Sequence, residues 1–144
     1  MAPLPLPEDI DATYSDSGDF SIAIHQQHHD TIHSEINKLT VVTANNQTGT
    51  TYTLALTDAG KVVELNAATA VALKVPTNAV AAFPVGACVE LWQQGAGQVT
   101  VSAVTPGTTT VRSPAGKVAI AAQYGSATLR KRATDEWCLE GNLA

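Results

Sequence analysis

The sequence predicts a mainly β protein: an antiparallel β-sandwich or jelly-roll-like domain, preceded by an extended arm and one short coiled-coil helix. Three observations carry this reading. From residue 40 on, short β-prone runs recur about every 8–12 residues, with turn chemistry between them. Before them, a stretch without Gly or Pro places apolar residues and histidines at heptad spacing. Before that, the chain alternates proline with small or apolar residues and then turns acidic. The expected parts are an arm over 1–20, an oligomerising helix over 21–39 and a β-domain over 40–144.

In the arm, Pro3, Pro5 and Pro7 alternate with Ala2, Leu4 and Leu6, which favours an extended polyproline-like backbone. Glu8, Asp9, Asp11, Asp16 and Asp19 follow, and the arm has no Lys or Arg. Such a segment does not fold alone. Its apolar side chains Leu4, Leu6, Ile10, Tyr14 and Phe20 are too many for an idle linker, so the arm is expected to lie along a partner surface.

In the helix, Ile22, His25, His29, Ile32, Ile36 and Leu39 recur at spacings of 3, 4, 3, 4 and 3. This is a heptad seam, with Ile22, His29 and Ile36 at a and His25, Ile32 and Leu39 at d. Asp19 or Ser21 can cap its start, and Asn37 and Lys38 suit its last turn. At roughly 27 Å it is marginal as an isolated helix, so it needs a partner. Ile at both a and d favours three strands, and the expected state is a homotrimer. All four histidines, His25, His28, His29 and His33, fall in this helix. Their ordinary reading is a polar layer that fixes register and oligomer state. A metal held by His25 and His29 is the weaker reading, since no recognised ligand motif is completed. No metal or cofactor is therefore expected.

The β-domain is expected to contain strands at 39–44, 51–57, 61–66, 70–75, 88–93, 98–103, 109–112, 117–123, 126–132 and 136–139. Tyr52, Leu54 and Leu56 alternate with Thr53, Ala55 and Thr57, as do Val99 and Val101 with Gln98, Thr100 and Ser102. Gly60, Gly86, Gly97 and Gly116 sit in the intervening turns, where the backbone needs a positive φ or a close approach. No internal repeat is evident. Trp92, Tyr124 and Trp137 read as core plugs before sugar platforms.

Composition excludes several classes. The net charge of −5 argues against nucleic acid, which needs clustered Lys and Arg. The one basic cluster, Arg130-Lys131-Arg132, is followed by Asp135, Glu136 and Glu140 and reads as a solvated strand end. No apolar run approaches the ~20 residues of a membrane span, and the first residues do not read as a signal peptide, so a soluble protein made in a cytoplasm is expected. Cys88 and Cys138 read as free buried thiols. Charged residues are only 15% of the chain, against roughly 25% in ordinary soluble domains, which suits a surface partly covered in an assembly. No nucleophile elbow, phosphate loop or HExxH motif occurs, so no catalysis is expected.

One resemblance spans 52–143. The elements YTLALTDAGKVVELN (52–66), LKVP (73–76), FPVGACVELWQQGAGQVTV (83–101), VRSPAGKVAIAAQYGSATLRKRATDEW (111–137) and CLEGNL (138–143) occur in an order similar to a β-domain of tailed-bacteriophage virion proteins. The resemblance implies a structural or receptor-facing role on heads or tail fibres, and no chemistry. It does not extend to the arm or the helix. Together these readings point to a trimeric capsid decoration (head) protein on the virion exterior. Its arm would contact the major capsid protein. The alternative is a tail-fibre tip or adaptor whose β-domain binds a host-surface glycan.

Overall fold

The computed structural model describes residues 27–34 and 41–144. The chain divides into two compact units, Met1–Val41 and Val42–Ala144. In the first, residues 27–34 form a helix, α1, exposed along its described length. Thr31 Oγ1 donates to the Gln27 carbonyl at 2.7 Å, one turn back, and the rings of His29 and His33 stack at 6.2 Å.

The second unit is mainly β, with strands β1 (Ala44–Gln47), β2 (Thr51–Thr53), β3 (Val62–Leu65), β4 (Val71–Val75), β5 (Cys88–Gln93), β6 (Val99–Ala103), β7 (Thr110–Arg112), β8 (Ser126–Ala133) and β9 (Glu136–Gly141). They form a six-stranded sheet of order β1-β3-β5-β8-β9-β7 and a three-stranded sheet of order β2-β4-β6. The expected antiparallel pairing is corrected. Among the described strands it occurs only at β5–β8 and β8–β9, with two isolated antiparallel bridges besides, Thr100 to Ala119 and Ile120 to Leu143. The pairs β1–β3, β3–β5, β2–β4, β4–β6 and β7–β9 are parallel.

The physical reason is the way the chain winds. Parallel neighbours need a long crossover, and here the crossover between two strands of one sheet is a strand of the other. The chain passes from β1 to β2, returns to β3, crosses to β4, and repeats through β5 and β6. The result is three stacked turns of a parallel coil. Lys74 and Ser102, register partners in β4 and β6, are 28 residues apart and hydrogen-bonded at 2.9 Å. A structural repeat is therefore present where none was evident in sequence.

Alternation then builds the core. Val63 and Leu65, Val89 and Leu91, Ala127 and Leu129, and Trp137 and Leu139 fill the inner face of the larger sheet. Val71, Leu73, Val75, Val99 and Val101 fill that of the smaller. All lie in one buried cluster, and Phe83 packs edge-on to Trp137 at 5.1 Å.

Three expected strands are altered. Of 39–44, only Ala44 is in a strand among the described residues, and β1 runs on from it to Gln47. The run 51–57 ends as a strand at Thr53 and becomes a 3-10 turn, Leu56–Asp58. The Asp58 carboxylate takes the Ala55 N–H at 2.8 Å, and such a local bond competes with a ladder. Residues 117–123 make only isolated bridges, Thr100 to Ala119 and Ile120 to Leu143. Val101 N–H donates to the Val118 carbonyl at 2.8 Å, so this segment covers part of the β6 edge.

Candidate functional site

The concave feature with recognisable chemistry is an open groove of about 380 Å³ where adjacent turns of the coil meet the 121–125 loop. Trp92 enters from the outer face of β5, because Val89, Leu91 and Gln93 take the inner positions. Tyr124 enters from the loop. Their ring centroids lie 6.4 Å apart at 39°. Asn66, Ala67 and Ala68 come from the turn after β3, and Gln94, Gly95 and Ala96 from the equivalent turn after β5.

Local bonding fixes the lip. Tyr124 N–H donates to the Gln93 carbonyl at 2.7 Å, and Gln93 N–H to the Gly125 carbonyl at 3.0 Å. Trp92 Nε1–H donates to the Tyr124 carbonyl at 3.3 Å. Gln123 Nε2–H donates to the Gln94 carbonyl at 3.0 Å. Below them Gln93 is buried, and its side-chain oxygen accepts the Val99 N–H at 3.0 Å, which ties the start of β6 to the groove floor. Tyr124 has φ 64, a left-handed conformation that bulky side chains rarely adopt. The residue is nevertheless 68% exposed. The fold therefore holds a costly backbone conformation at a residue whose ring contributes little to the core.

Two buried polar clusters have a different character. Asp58 lies beneath the first turn of the coil. Its Oδ1 accepts Asn45 Nδ2–H, and its Oδ2 accepts Tyr52 Oη–H and the Ala55 N–H, all at 2.8 Å. Asn45 Nδ2 also donates to Tyr52 Oη at 2.8 Å, and Gln47 Nε2 to Asn45 Oδ1 at 2.8 Å. Burial, then the hydrogen bond and the charge of Asp58, push the Tyr52 phenol above its ordinary 10.0. The folded state thus keeps the proton longer than the unfolded chain. Tyr52 leaves stability intact below pH about 10 and removes it as pH rises through the folded-state value. Tyr52→Phe should flatten the alkaline end of a pH–stability curve, while costing about 1 kcal/mol at neutral pH for the lost hydrogen bond. Denaturant melts across pH 7–11 check both parts.

The second cluster surrounds Lys131, which is buried on the inner face of β8. Its Nζ donates to Asn78 Oδ1 and, at 2.8 Å, to the Phe83 carbonyl. It also lies 6.0 Å from the centre of the Trp137 ring. Asn78 N–H in turn donates to Asp135 Oδ1 at 2.5 Å. This corrects the reading of Arg130-Lys131-Arg132 as wholly solvated. Only the arginines are exposed, pairing with Glu140 at 3.4 Å and Glu136 at 2.6 Å. Period-two alternation from Ala127 and Leu129 carries the signal that places Lys131 inside. Both clusters anchor structure, with every polar contact directed inward.

The expected site residues fall in three places. Leu4, Leu6, Ile10, Tyr14 and Phe20 of the arm, and Ile22, His25, Ile36 and Leu39 of the seam, lie outside the described residues. His29 and Ile32 lie on α1, both exposed. Of the three aromatic residues, Trp92 and Tyr124 come together at the groove, whereas Trp137 is buried in the core. The amides Asn66, Gln94 and Gln123 were not singled out by sequence reasoning, and no motif marks them.

The cysteines are free but not buried as expected: Cys88 is exposed and Cys138 half-buried. Arg130 lies between them, paired to Cys88 on one side and to Cys138 on the other. That puts them two strands, roughly 9–10 Å, apart, too far for an intramolecular disulfide. Among the described residues no three His, Cys, Asp or Glu side chains cluster as metal ligands, and no helix is long and apolar enough to cross a membrane. Neither known protein-family models nor curated proteins give a match to this chain.

Proposed function

We propose that this chain is a non-enzymatic structural protein of a bacteriophage particle, a homotrimer that decorates the capsid exterior and attaches to the major capsid protein through its N-terminal arm. The observation that carries the reading is Ile32. It stands 57% exposed on α1, three residues on from His29, the a-to-d step of the heptad. An exposed Ile on a short helix, at a position that a heptad repeat assigns to a seam, favours burial against other copies of the same helix. The resemblance of 52–143 to a virion β-domain and the low charge content support the same reading. Three arms on one trimer would engage neighbouring capsid subunits together, so weak individual contacts add up to firm attachment.

The test uses purified full chain, a chain lacking residues 1–20, and Ile32→Asp. Sedimentation should give a trimer for the first two and a monomer for the third. Undecorated heads should bind the full chain saturably and the truncated chain at least about tenfold more weakly. A monomeric full chain, or head binding that ignores the arm, would sink the proposal. Binding to host cells alone, independent of the arm, would favour a tail-fibre tip or adaptor.

A further inference from the structure

We propose that the groove between Trp92 and Tyr124 is a binding site for a neutral saccharide, with one pyranose ring seated against the aromatic pair. The inference goes beyond the decoration role and does not depend on it, because the groove belongs wholly to the β-domain.

Four features converge. The first is the aromatic pair. A pyranose presents a face of slightly positive C–H groups, which matches the negative face of an indole or phenol ring. Trp92 and Tyr124, with centroids 6.4 Å apart and tilted 39°, pack as an adjoining pair against whose outward side one ring can lie. The second is the polar lining. Asn66, Gln94 and Gln123 supply carboxamides, each carrying both donors and an acceptor, which suits vicinal hydroxyls. Gln94 Oε1 is buried behind the lining and has no hydrogen-bond partner among the described residues, so a turn of its carboxamide toward the groove would break no hydrogen bond of that oxygen.

The third feature is charge. None of the lining residues is Asp, Glu, Lys or Arg. A uronic or sialic acid would find no cation there, and a basic amine no carboxylate. The site thus selects neutral hexoses or N-acetylhexosamines. The fourth is strain. Tyr124 is held at φ 64 by bonds to Gln93 and Trp92, with its ring turned to solvent. A left-handed tyrosine is costly, and such outliers are retained where the side chain has a use. The groove volume, about 380 Å³, is near the lower end of small-molecule sites, roughly 300–1,000 Å³.

The experiment titrates the full-length protein with lactose, maltose and diacetylchitobiose, following tryptophan emission, with sialyllactose as the anionic comparison. The chain has two tryptophans, and Trp137 is 1% exposed, so a ligand-induced change reports Trp92. The expected result is saturable binding of at least one neutral disaccharide and at least about tenfold weaker binding of sialyllactose. Tyr124→Asn keeps a residue that tolerates the left-handed backbone and should lose at least about tenfold in affinity with an unchanged melting temperature. Gln123→Ala, as a second variant, should weaken binding in the same direction. No saturable response up to about 20 mM, well past the millimolar range, would overturn the proposal. So would equal binding of sialyllactose, or full affinity in folded Tyr124→Asn. None of these outcomes bears on arm-dependent attachment to heads.

Discussion

Gly97→Ala will cost the β-domain at least about 3 kcal/mol, beyond the usual 1–3 for overpacking. The turns after β3 and β5 stack backbone on backbone: Gly95 N–H donates to the Leu65 carbonyl at 3.0 Å and Gly97 N–H to the Ala67 carbonyl at 2.9 Å. A Cβ on Gly97 would stand 1.8 Å from the Thr69 carbonyl oxygen and 2.3 Å from its carbon. No rotamer relieves that overlap, since both partners are main chain. The two turns must separate, and with them Val71 and Val99, which are register partners in β4 and β6. Domains of this size have only about 5–15 kcal/mol of stability to lose. Gly49→Ala is the matched control. Its Cβ would meet only the Thr51 carbonyl oxygen, at an ordinary 3.7 Å, and the change should stay within about 0.5 kcal/mol. Urea melts of the two variants beside the wild type decide it. A Gly97→Ala midpoint equal to that of Gly49→Ala would refute the stacking argument.

Lys131→Ala should be comparably severe, at about 2–5 kcal/mol, the range for emptying a large buried side chain. It empties a buried volume beside Trp137 and leaves Asn78 Oδ1 and the Phe83 carbonyl without their donor. Lys131→Met separates these effects. It retains most of the packing and leaves only the unpaired acceptors, so a loss of about 1–3 kcal/mol is expected. Arg130→Ala and Arg132→Ala, on the exposed face, should each cost under about 1 kcal/mol. Thermal or denaturant melts that ranked Lys131 with its arginine neighbours would show that the ammonium is not anchored as described.

Much of the β-domain was legible in the sequence because period-two alternation survives any change of partner. The runs 88–93, 98–103 and 70–75 were recognisable since Val89 and Leu91, or Val99 and Val101, must share a face whatever lies beside them. The partner itself was not legible. Gly-containing turns such as 95–97 look like hairpin turns, yet here they carry the chain from one sheet to the other. A short turn specifies a change of direction and leaves open which sheet the next strand joins. Parity also separates Trp92, out of step with Leu91, from Trp137, in step with Leu139. That distinction was available in the sequence, and weighting both tryptophans alike obscured it. The groove needed the fold, because Asn66, Gln94 and Gln123 converge only when successive turns stack. The arm, and the seam apart from His29 and Ile32, lie outside the described residues, so the functional reading of those segments rests on their spacing and composition.

The place of β8 in the larger sheet has a consequence for the protein's birth on the ribosome. β8 lies between β5 and β9, although it is made long after β5. Until residues 126–141 have emerged, β5 presents an unpaired edge, and the inner faces that Leu129, Trp137 and Leu139 will cover remain open to water. The early turns of the coil thus wait for the final hairpin before they are closed. A nascent chain stalled before Ser126 should be captured by chaperones and cut by proteases that ignore the finished protein.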